Sequence, residues 1–284
     1  MERCPTILTG SVNPMLRRTR IPLLTAVVLS LLAGCATSPT GRHQLMLVSE
    51  KSAIAASKEA YLSTVKDLQD EGKISTDPKI NARVRKITGR LITEAIKMRP
   101  DAANWEWSVV VIDDPETVNA WCMAGGRMAV YTGLLDQIKP TDDELAQVMG
   151  HEIGHALANH AAEKMSVQMA SSLGVLAVGV ATDSKGIALT GAALAAVYAI
   201  NMPNSRAAET EADRIGIELA AKAGYDPRAA KTLWAKMAGL GGSHMPQWMS
   251  THPNPQNRQA ELTKLEDQML AYYDPQAPHP VYKL

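Results

Sequence analysis

The sequence contains no phenylalanine, and aromatic residues make up only 4% of its 284 positions. A core without phenylalanine has to be built from aliphatic side chains, the 14 methionines and the 5 tryptophans. The 29 basic and 29 acidic residues balance, so no excess of positive charge suggests nucleic-acid binding. No internal repeat or heptad run is visible either. With 46% hydrophobic residues, the chain can bury the core of one large domain.

Cysteines are also scarce, and their positions draw attention to the N-terminus. Three arginines within residues 17–20 precede a short apolar run at 21–32, which is too brief to span a bilayer as a mature helix. The run ends in Leu32-Ala33-Gly34-Cys35, which resembles the lipobox of bacterial lipoproteins. The resemblance implies cleavage before Cys35 and lipidation of its thiol, whereas a plain secretory signal is the alternative. Only Cys122 then stays free, so an intramolecular disulfide is excluded.

The predicted organisation has four parts. They are a signal peptide (1–34, with Met15 as an alternative start), a lipidated cysteine with a polar tether (35–48), a folded domain (49–265) and a proline-rich tail (266–284) that we expect to be poorly ordered. Residue 36 is alanine rather than aspartate, which by analogy with lipoproteins favours the outer membrane. We therefore expect a lipid-anchored protein on the periplasmic side of the bacterial outer membrane.

Periodicity predicts a mostly helical domain with a small sheet, which is an α+β fold. Helices are predicted at 50–70, 78–99, 133–138, 142–164, 206–223, from 227 onwards and at 257–273, and strands at 105–112, 117–123 and 127–132. The last two strands form a hairpin through Gly125-Gly126. Residues 240–255 are predicted as a loop.

Residues 165–204 are ambiguous because they hold two long stretches without charge. One interpretation is a transmembrane hairpin. Both stretches are, however, dominated by Ala, Gly, Ser and Thr rather than by the Leu and Ile that drive membrane insertion. We therefore favour a helical hairpin packed on the folded domain, and a contact with the membrane stays open.

The most informative stretch is His151-Glu152-Ile153-Gly154-His155, inside the predicted 142–164 helix. Residues four apart lie on one face of a helix, so His151 and His155 can present two imidazole nitrogens to one point. Two such ligands on one helix are typical of a zinc site, with Glu152 beside the metal as a general base. The alternative is a chance pair of histidines. On the same helix, His160 is off the ligand face and is expected to be exposed to solvent.

A catalytic zinc needs a third protein ligand and an open position for water. The acidic run Glu209-Thr210-Glu211-Ala212-Asp213 is the obvious donor. Glu209 and Asp213 are four apart on a predicted helix, so one carboxylate can bind metal while the other supports a ligand histidine from behind. A solvated acidic helix face is the alternative.

Four pieces of the sequence then occur in a familiar order. They are Asn119-Ala120 through Gly125-Gly126 to Gly133-Leu134-Leu135, the HExxH helix, Glu209-x-x-Ala212-Asp213, and Thr251-His252-Pro253 followed by Arg258. Together they resemble the HtpX/CAAX-prenyl-protease family of zinc metallopeptidases, especially its soluble periplasmic lipoproteins of the BepA and LoiP type. The resemblance implies a gluzincin-like zincin fold, mostly helical, with a small β-sheet beside the HExxH helix.

The same resemblance implies one zinc ion per chain and a role for each residue of the metal site. The implied ligands are His151, His155 and Glu209, and Glu152 is the catalytic acid/base. Asp213 falls on the position of an aspartate that lies behind a ligand histidine and supports it. Glu211 is a competing candidate for the third ligand.

Further residues take their expected roles from the resemblance as well. His252 would either occupy the open position as a latch or assist catalysis. Arg258 would pair with an acid or stabilise the tetrahedral intermediate. Asn119 and Ala120 begin a strand that would bind the substrate backbone by strand addition.

The resulting hypothesis is a zinc endopeptidase of the bacterial cell envelope that hydrolyses unfolded or misassembled envelope proteins in protein quality control. The substrate class is implied by the resemblance alone. A different class of function is a chaperone-like or binding lipoprotein whose metal site is structural or regulatory. Glu152 favours the enzyme, because a structural zinc does not need a base. An incidental HExxH would require every other match to be a coincidence.

Overall fold

A computed structural model describes residues 35–182, 206–240, 247–252 and 258–284. These residues form the mostly helical α+β fold expected from the sequence. The strands are β1 (Cys35–Thr37), β2 (His43–Leu45), β3 (Ser108–Ile112), β4 (Ala120–Met123) and β5 (Arg127–Tyr131). The helices are α1 (Glu50–Asp70), α2 (Pro78–Met98), α3 (Thr132–Ile138), α4 (Asp142–Leu157), α5 (His160–Thr182), α6 (206–222), α7 (Ala229–Gly239), α8 (Gln247–Thr251) and α9 (Arg258–Met269), with 3-10 turns at Pro100–Asn104 and Leu270–Tyr272.

A three-stranded sheet lies beside α4. Its strand order is β3-β5-β4, with β3 parallel and β4 antiparallel to β5. The predicted hairpin through Gly125 and Gly126 is confirmed, and both glycines have φ above +80°, a conformation that residues with a Cβ rarely adopt. Because β4 comes last in the strand order, it is an edge strand. It packs against the HExxH helix α4.

The helices begin at the residues that the sequence marks as caps. The side chain of Asp77 accepts hydrogen bonds from the N–H groups of Lys79 and Ile80 at the start of α2. Thr141 and Glu144 form the predicted capping box on α4. Apolar side chains on the inner faces of both helices, such as those of Leu91 and Met149, are fully buried, and each contributes about 1.5–3 kcal/mol to stability. The helix that carries the HExxH motif is therefore firmly placed in the core.

Helix α6 lies against α4 at unusually short range. A Cβ on Gly150 would be 2.7 Å from the carbonyl oxygen of Gly216, and a Cβ on Gly216 would be 2.6 Å from the backbone nitrogen of His151. Only glycine permits this approach. One turn further along, a Cβ on Gly154 would be 2.9 Å from the carbonyl oxygen of Ala212. The close approach brings the acidic run of α6 directly beside the histidines of α4.

The predicted 142–164 helix is interrupted, which differs from the expectation of a continuous helix. Helix α4 ends at Leu157, Asn159 takes a left-handed φ of 57°, and α5 begins at His160. The side chain of Asn159 donates to Glu50 and accepts from Arg99, and these bonds hold the turn. Asparagine tolerates the left-handed region better than most residues do. Apolar periodicity does not reveal such a break, because the pattern continues across it.

The N-terminal part of the described chain packs on the domain. Residues 35–48, which the sequence predicts as a tether, form an antiparallel hairpin in which Cys35 lies opposite Leu45. Met46 and Val48 then pack beside Ala53 and Ala162. The expectation of a free tether is wrong here, because a polar composition concealed specific hydrogen bonds.

The C-terminal residues also pack on the domain, rather than being poorly ordered as expected. The N–H of Tyr282 donates to the carbonyl oxygen of Gly89 in α2 at 3.0 Å. Gly89 has no room for a side chain at this point. Tyr282 and Leu284 also lie against the main hydrophobic core.

Two other expectations concern segments that are only partly described. Helix α5 continues to Thr182, but the remainder of the ambiguous 165–204 stretch lies outside the described residues, as does the expected signal peptide. Within the described part of the chain, no helix is both long and apolar enough to cross a membrane. The predicted loop at 240–255 contains the short helix α8.

Candidate metal centre

Four side chains converge between α4, α6 and the end of α8. They belong to the three expected ligands, His151, His155 and Glu209, and to His252. The Nε2 atom of His151 lies 3.1 Å from Nε2 of His155 and 3.3 Å from Oε2 of Glu209. The Nδ1 atom of His252 lies 3.2 Å from Nε2 of His151 and 3.2 Å from Oε2 of Glu209.

These separations fit a tetrahedral zinc site. Zinc bonds of about 2.0–2.2 Å in a tetrahedral arrangement place the donor atoms about 3.3–3.6 Å from one another. The separations of 3.1–3.3 Å from Nε2 of His151 to the other three donors, and of 3.4 Å between Nε2 of His155 and Oε1 of Glu209, lie close to that range, and the four donor atoms all lie within 4.8 Å of one another. Imidazole nitrogen and carboxylate oxygen are donors that zinc prefers. The residues of the cluster therefore fit the zinc ion that the HExxH motif implies.

The electrostatics of the cluster also suit a cation. Burial lowers the pKa of His151, but its hydrogen bonds to Asp213 and Glu209 outweigh burial and raise the pKa to about 9. Burial holds the pKa of His155 well below its usual range. Burial opposes ionisation of Glu209, yet hydrogen bonds from the surrounding histidines keep the pKa of its carboxyl group below the usual range. A buried, ionised carboxylate surrounded by imidazoles is a strong binding site for a divalent cation.

Asp213 and Arg258 lie behind His151. The Oδ1 atom of Asp213 is 2.9 Å from Nδ1 of His151, and Arg258 donates to the same oxygen at 2.5 Å. The guanidinium group of Arg258 stacks 3.7 Å from the ring centroid of Trp234. A carboxylate in this position fixes the tautomer with the proton on Nδ1, so that the lone pair of Nε2 points to the cluster. Of the two alternatives for Arg258, the structure therefore has the pairing with an acid.

Glu152 lies beside the cluster and is held by Trp248, a residue that sequence reasoning missed. The Nε1–H group of Trp248 donates to Oε1 of Glu152 at 2.8 Å. The indole also packs on the ring of His252, with centroids 5.1 Å apart. Trp248 precedes His252 by four residues, and this helical spacing was the one signal that would have found it.

Asn119 and Ala120 lie where β4 begins. The carbonyl oxygen of Asn119 accepts from the N–H of Tyr131 in β5, so strand alternation places the backbone groups of Val118 and Ala120 on the outer edge. At that edge the N–H of Ala120 is bonded to the side-chain oxygen of Asn119, and the oxygen of Val118 accepts from the N–H of Trp248. The two predicted substrate-binding residues thus lie at a strand edge whose beginning is covered by α8.

His160 and Glu211 lie behind His155, which the sequence did not lead us to expect. The Nδ1 atoms of His160 and His155 are 2.8 Å apart, and Nε2 of His160 is 3.1 Å from Oε2 of Glu211. His160 is 7% exposed, so its predicted solvent exposure is wrong. On a continuous helix it would lie about 140° around the axis from His155, and the break at Asn159 turns it back. Glu211 binds His160 and is not among the four converging donors.

A helical domain with an HExxH helix and a His-His-Glu-His cluster defines a zincin-type metallopeptidase domain. The family model of Peptidase family M48 matches residues 75–266, which is more than half of the sequence. The chain belongs to this family, whose metallopeptidases depend on zinc.

Individual relatives are similar over much of the chain. The mitochondrial metalloendopeptidase OMA1 of Arabidopsis thaliana is 39% identical over 176 residues, which are 60% of this chain and 34% of that protein. The human mitochondrial metalloendopeptidase OMA1 is 33% identical over 243 residues, 81% of this chain and 45% of that protein. The beta-barrel assembly-enhancing protease of Escherichia coli is 27% identical over 214 residues, 72% and 42% of the two chains. The chain thus spans about a third to a half of the length of these relatives. Family and relatives together support a zinc metalloendopeptidase.

Proposed function

We propose that the chain is a zinc-dependent endopeptidase. The observation that carries the proposal is Glu152, which is only 2% exposed and lies beside the four converging donors. Burying a carboxylate costs free energy, and a zinc site that only stabilises a fold does not need one in this position. A metallopeptidase needs it as a general base.

The chain's own residues account for orientation and proton transfer. When bound, zinc supplies a Lewis acid that polarises a carbonyl group and makes water more acidic. The carboxylate of Glu152 accepts a proton from the attacking water and passes it to the leaving amine. Asp213 fixes the ring of His151, which is therefore oriented before a substrate arrives, and this reduces the reorganisation that the reaction requires. Trp248 holds the Oε1 atom of Glu152 while α8 is in place.

His252 is, in this proposal, a latch on the site rather than a catalytic aid. Its Nδ1 atom completes the set of four donors at the position that a catalytic zinc keeps open for water. Trp248, on the same short helix, is bonded to Glu152 and to the strand edge at Val118. Withdrawal of α8 would therefore free the fourth position, the base and the strand edge together.

Unfolded or misassembled envelope proteins are the proposed substrates. The edge of β4, once α8 has withdrawn from it, suits an extended chain with little sequence preference, because backbone hydrogen bonds supply most of the binding. The printed name of the Escherichia coli relative, beta-barrel assembly-enhancing protease, supports an envelope substrate. The OMA1 relatives are named as mitochondrial, so the bacterial envelope and the BepA-type branch depend on the N-terminal lipobox-like motif.

The proposed location is the periplasmic side of the bacterial outer membrane, with a lipid on Cys35. Strand β1 begins at Cys35, so the lipid would be joined directly to the N-terminal hairpin, without a free tether. Mass spectrometry of the N-terminal peptide tests this part of the proposal. A diacylglycerol-modified Cys35 is expected, and an unmodified chain that starts elsewhere would contradict it.

Cleavage of an unfolded test protein is the experiment that tests the enzymatic proposal. The purified wild-type chain is compared with Glu152→Gln, and zinc content is measured on both. We expect both to bind zinc and only the wild type to cleave. If both bind zinc and neither cleaves, His252→Ala decides: a gain of activity supports the latch, and continued inactivity overturns the enzyme. A lack of zinc in both would contradict the metal centre itself.

A chaperone-like or binding lipoprotein with a structural or regulatory metal site is the second candidate. One observation favours it, since four protein donors are the number that structural zinc sites use. In that case the wild type and His252→Ala would both suppress aggregation of the test protein and would leave its length unchanged on a denaturing gel.

A further inference from the structure

We propose that the N-terminal hairpin, residues 35–45, is part of the metal centre, because it holds Glu211 and His160 in the positions from which they orient the ligand His155. His160 and Glu211 are then positioning residues. This inference rests on the proposed metal centre but not on peptide cleavage.

The hydrogen bonds behind His155 form one consistent chain. If His155 binds metal through Nε2, its Nδ1 carries the proton and donates to Nδ1 of His160 at 2.8 Å. Nε2 of His160 then carries the proton and donates to Oε2 of Glu211 at 3.1 Å. Each of these two hydrogen bonds has one donor and one acceptor. The series ends on the carboxylate of Glu211, which is 5% exposed.

The hairpin supplies the groups that hold this carboxylate. The turn between β1 and β2 is closed by the bond from the N–H of Ser38 to the oxygen of Arg42 at 2.8 Å. The hydroxyl groups of Ser38 and Thr40 both donate to Oε1 of Glu211, and Nε of Arg42 donates to Oε2 at 2.6 Å. Three residues of one turn are therefore directed at a single side chain of α6.

The hairpin is also fixed to α5, next to the break that places His160. Arg42 donates to both oxygens of Glu163 at 2.7 Å and 2.5 Å. Gln44 donates to Glu163 and to the carbonyl oxygen of Ala158 in the break. Glu163 and Glu211 are each 5% exposed, and two buried carboxylates without a cation would strongly destabilise the fold. Arg42 therefore neutralises both carboxylates, and its docking between them contributes to the stability of the fold.

The need for such a support follows from the chemistry of His155. A metal-bound histidine usually donates its second N–H to a carboxylate or a carbonyl group, which fixes its ring and raises its basicity. His151 has Asp213 for this purpose. Among the residues that the structure describes, the partner of Nδ1 of His155 is another imidazole, that of His160. An imidazole can accept that proton reliably only if its own proton is held on the other nitrogen, which is what Glu211 does.

Zinc affinity of the full chain, purified in detergent so that any lipid is retained, tests the proposal. Competition with a chromogenic chelator gives the zinc dissociation constant, and the visible spectrum of the cobalt-substituted protein reports the ligand geometry. We expect His160→Ala to weaken zinc binding about 10–100-fold and to change the cobalt spectrum. Glu211→Gln and Arg42→Met are expected to weaken it about 10-fold, because they act through His160.

Two matched variants separate positioning from stability. His160→Asn keeps an acceptor near the Nδ1 position and is expected to restore most of the affinity that His160→Ala loses. Glu218 lies on α6, as Glu211 does, and its carboxylate pairs with Lys222. Glu218→Gln should therefore leave zinc binding and the cobalt spectrum unchanged. Thermal unfolding of the metal-free form is recorded for every variant.

Unchanged zinc affinity and cobalt spectrum in His160→Ala and Glu211→Gln, even with a lower melting temperature, would overturn the inference. Failure of His160→Asn to bind more tightly than His160→Ala would also count against it. If the wild type and His252→Ala both bind zinc and neither cleaves the test protein, the proposed function is contradicted and this inference is left intact. The two proposals therefore fail in different measurements.

Discussion

The two histidines of α4 lie one turn apart, yet they are supported by different parts of the molecule. His151 is backed by Asp213 and Arg258, which come from α6 and α9. His155 is backed by His160, Glu211 and the N-terminal hairpin. The first support is one bond long and its arginine is 2% exposed. The second is two bonds long and ends at Glu211, which is held by Arg42, whose side chain is 21% exposed.

This difference shows how one metal centre combines a rigid side with a side that depends on docking. Asp213 lies on α6, whose backbone is fixed against α4 by the glycine contact at Gly150 and Gly216. The support of His155 stays in place only while the hairpin stays docked. We therefore expect changes on the His151 side to have larger effects than equivalent changes on the His155 side.

Loss of either ligand histidine should have the largest effect on zinc affinity. This effect should not depend on which of the two supports stands behind the histidine. His151→Ala and His155→Ala each remove one donor, and we expect zinc binding to weaken by more than about 100-fold, above 2.7 kcal/mol. Zinc retained after dialysis against a weak chelator is the measurement. Near wild-type affinity in either variant would remove that histidine from the site.

The next effect compares the two supporting carboxylates. Asp213→Asn keeps an acceptor for His151 but loses the negative charge that pairs with Arg258, so zinc affinity should fall about 10–100-fold. Glu211→Gln acts through one more residue and should cost about 10-fold. Titration with a chelator under identical conditions gives the ratio. A larger loss in Glu211→Gln would reverse the proposed ranking of the two sides.

The two arginines are compared through the stability of the metal-free protein, since each of them acts on the metal only through a carboxylate. Lysine cannot reproduce the stacking of Arg258 on Trp234 or the forked contacts of Arg42 with Glu163. We expect Arg258→Lys to lower the free energy of unfolding by about 2–4 kcal/mol, and Arg42→Lys by about 1–2 kcal/mol because water reaches its side chain. Urea denaturation measures both. Equal losses would mean that exposure does not distinguish the two sites.

The smallest effect on stability is expected for a surface ion pair that belongs to neither support of the metal centre. Lys66 and Asp70 form an i,i+4 pair on α1, with side chains 72% and 65% exposed. Water screens such a pair, so Lys66→Ala should change the free energy of unfolding by less than about 0.5 kcal/mol. Zinc affinity should not change. A measurable change in zinc affinity would show that the assay responds to global stability.

Much of the fold was predictable from the sequence, because the signals are local. The cap at Asp77, the capping box at Thr141 and the turn at Gly125-Gly126 all act within four residues, and the structure has each of them. The spacing of the HExxH motif likewise placed two histidines on one face. Such features depend on geometry that a short window contains.

The missed features depend on contacts between distant segments. The parallel pairing of β3 with β5 joins strands that are not adjacent in sequence. The role of Ser38, Thr40 and Arg42 becomes visible only when α6 brings Glu211 beside the hairpin. Composition describes residues 35–48 as a polar linker, since serine, threonine and arginine look alike whether solvent or a carboxylate receives their hydrogen bonds. The break at Asn159 was hidden because apolar residues continue on both sides of it.

Everything above depends on a zinc ion bound between α4, α6 and the residue that follows α8. A crystal structure of the zinc-loaded chain, with anomalous data at the zinc absorption edge, would locate that ion. We expect one anomalous peak within about 2.0–2.2 Å of Nε2 of His151 and His155, the Glu209 carboxylate and Nδ1 of His252. A peak at other residues, or an empty cluster in zinc-saturated protein, would contradict it.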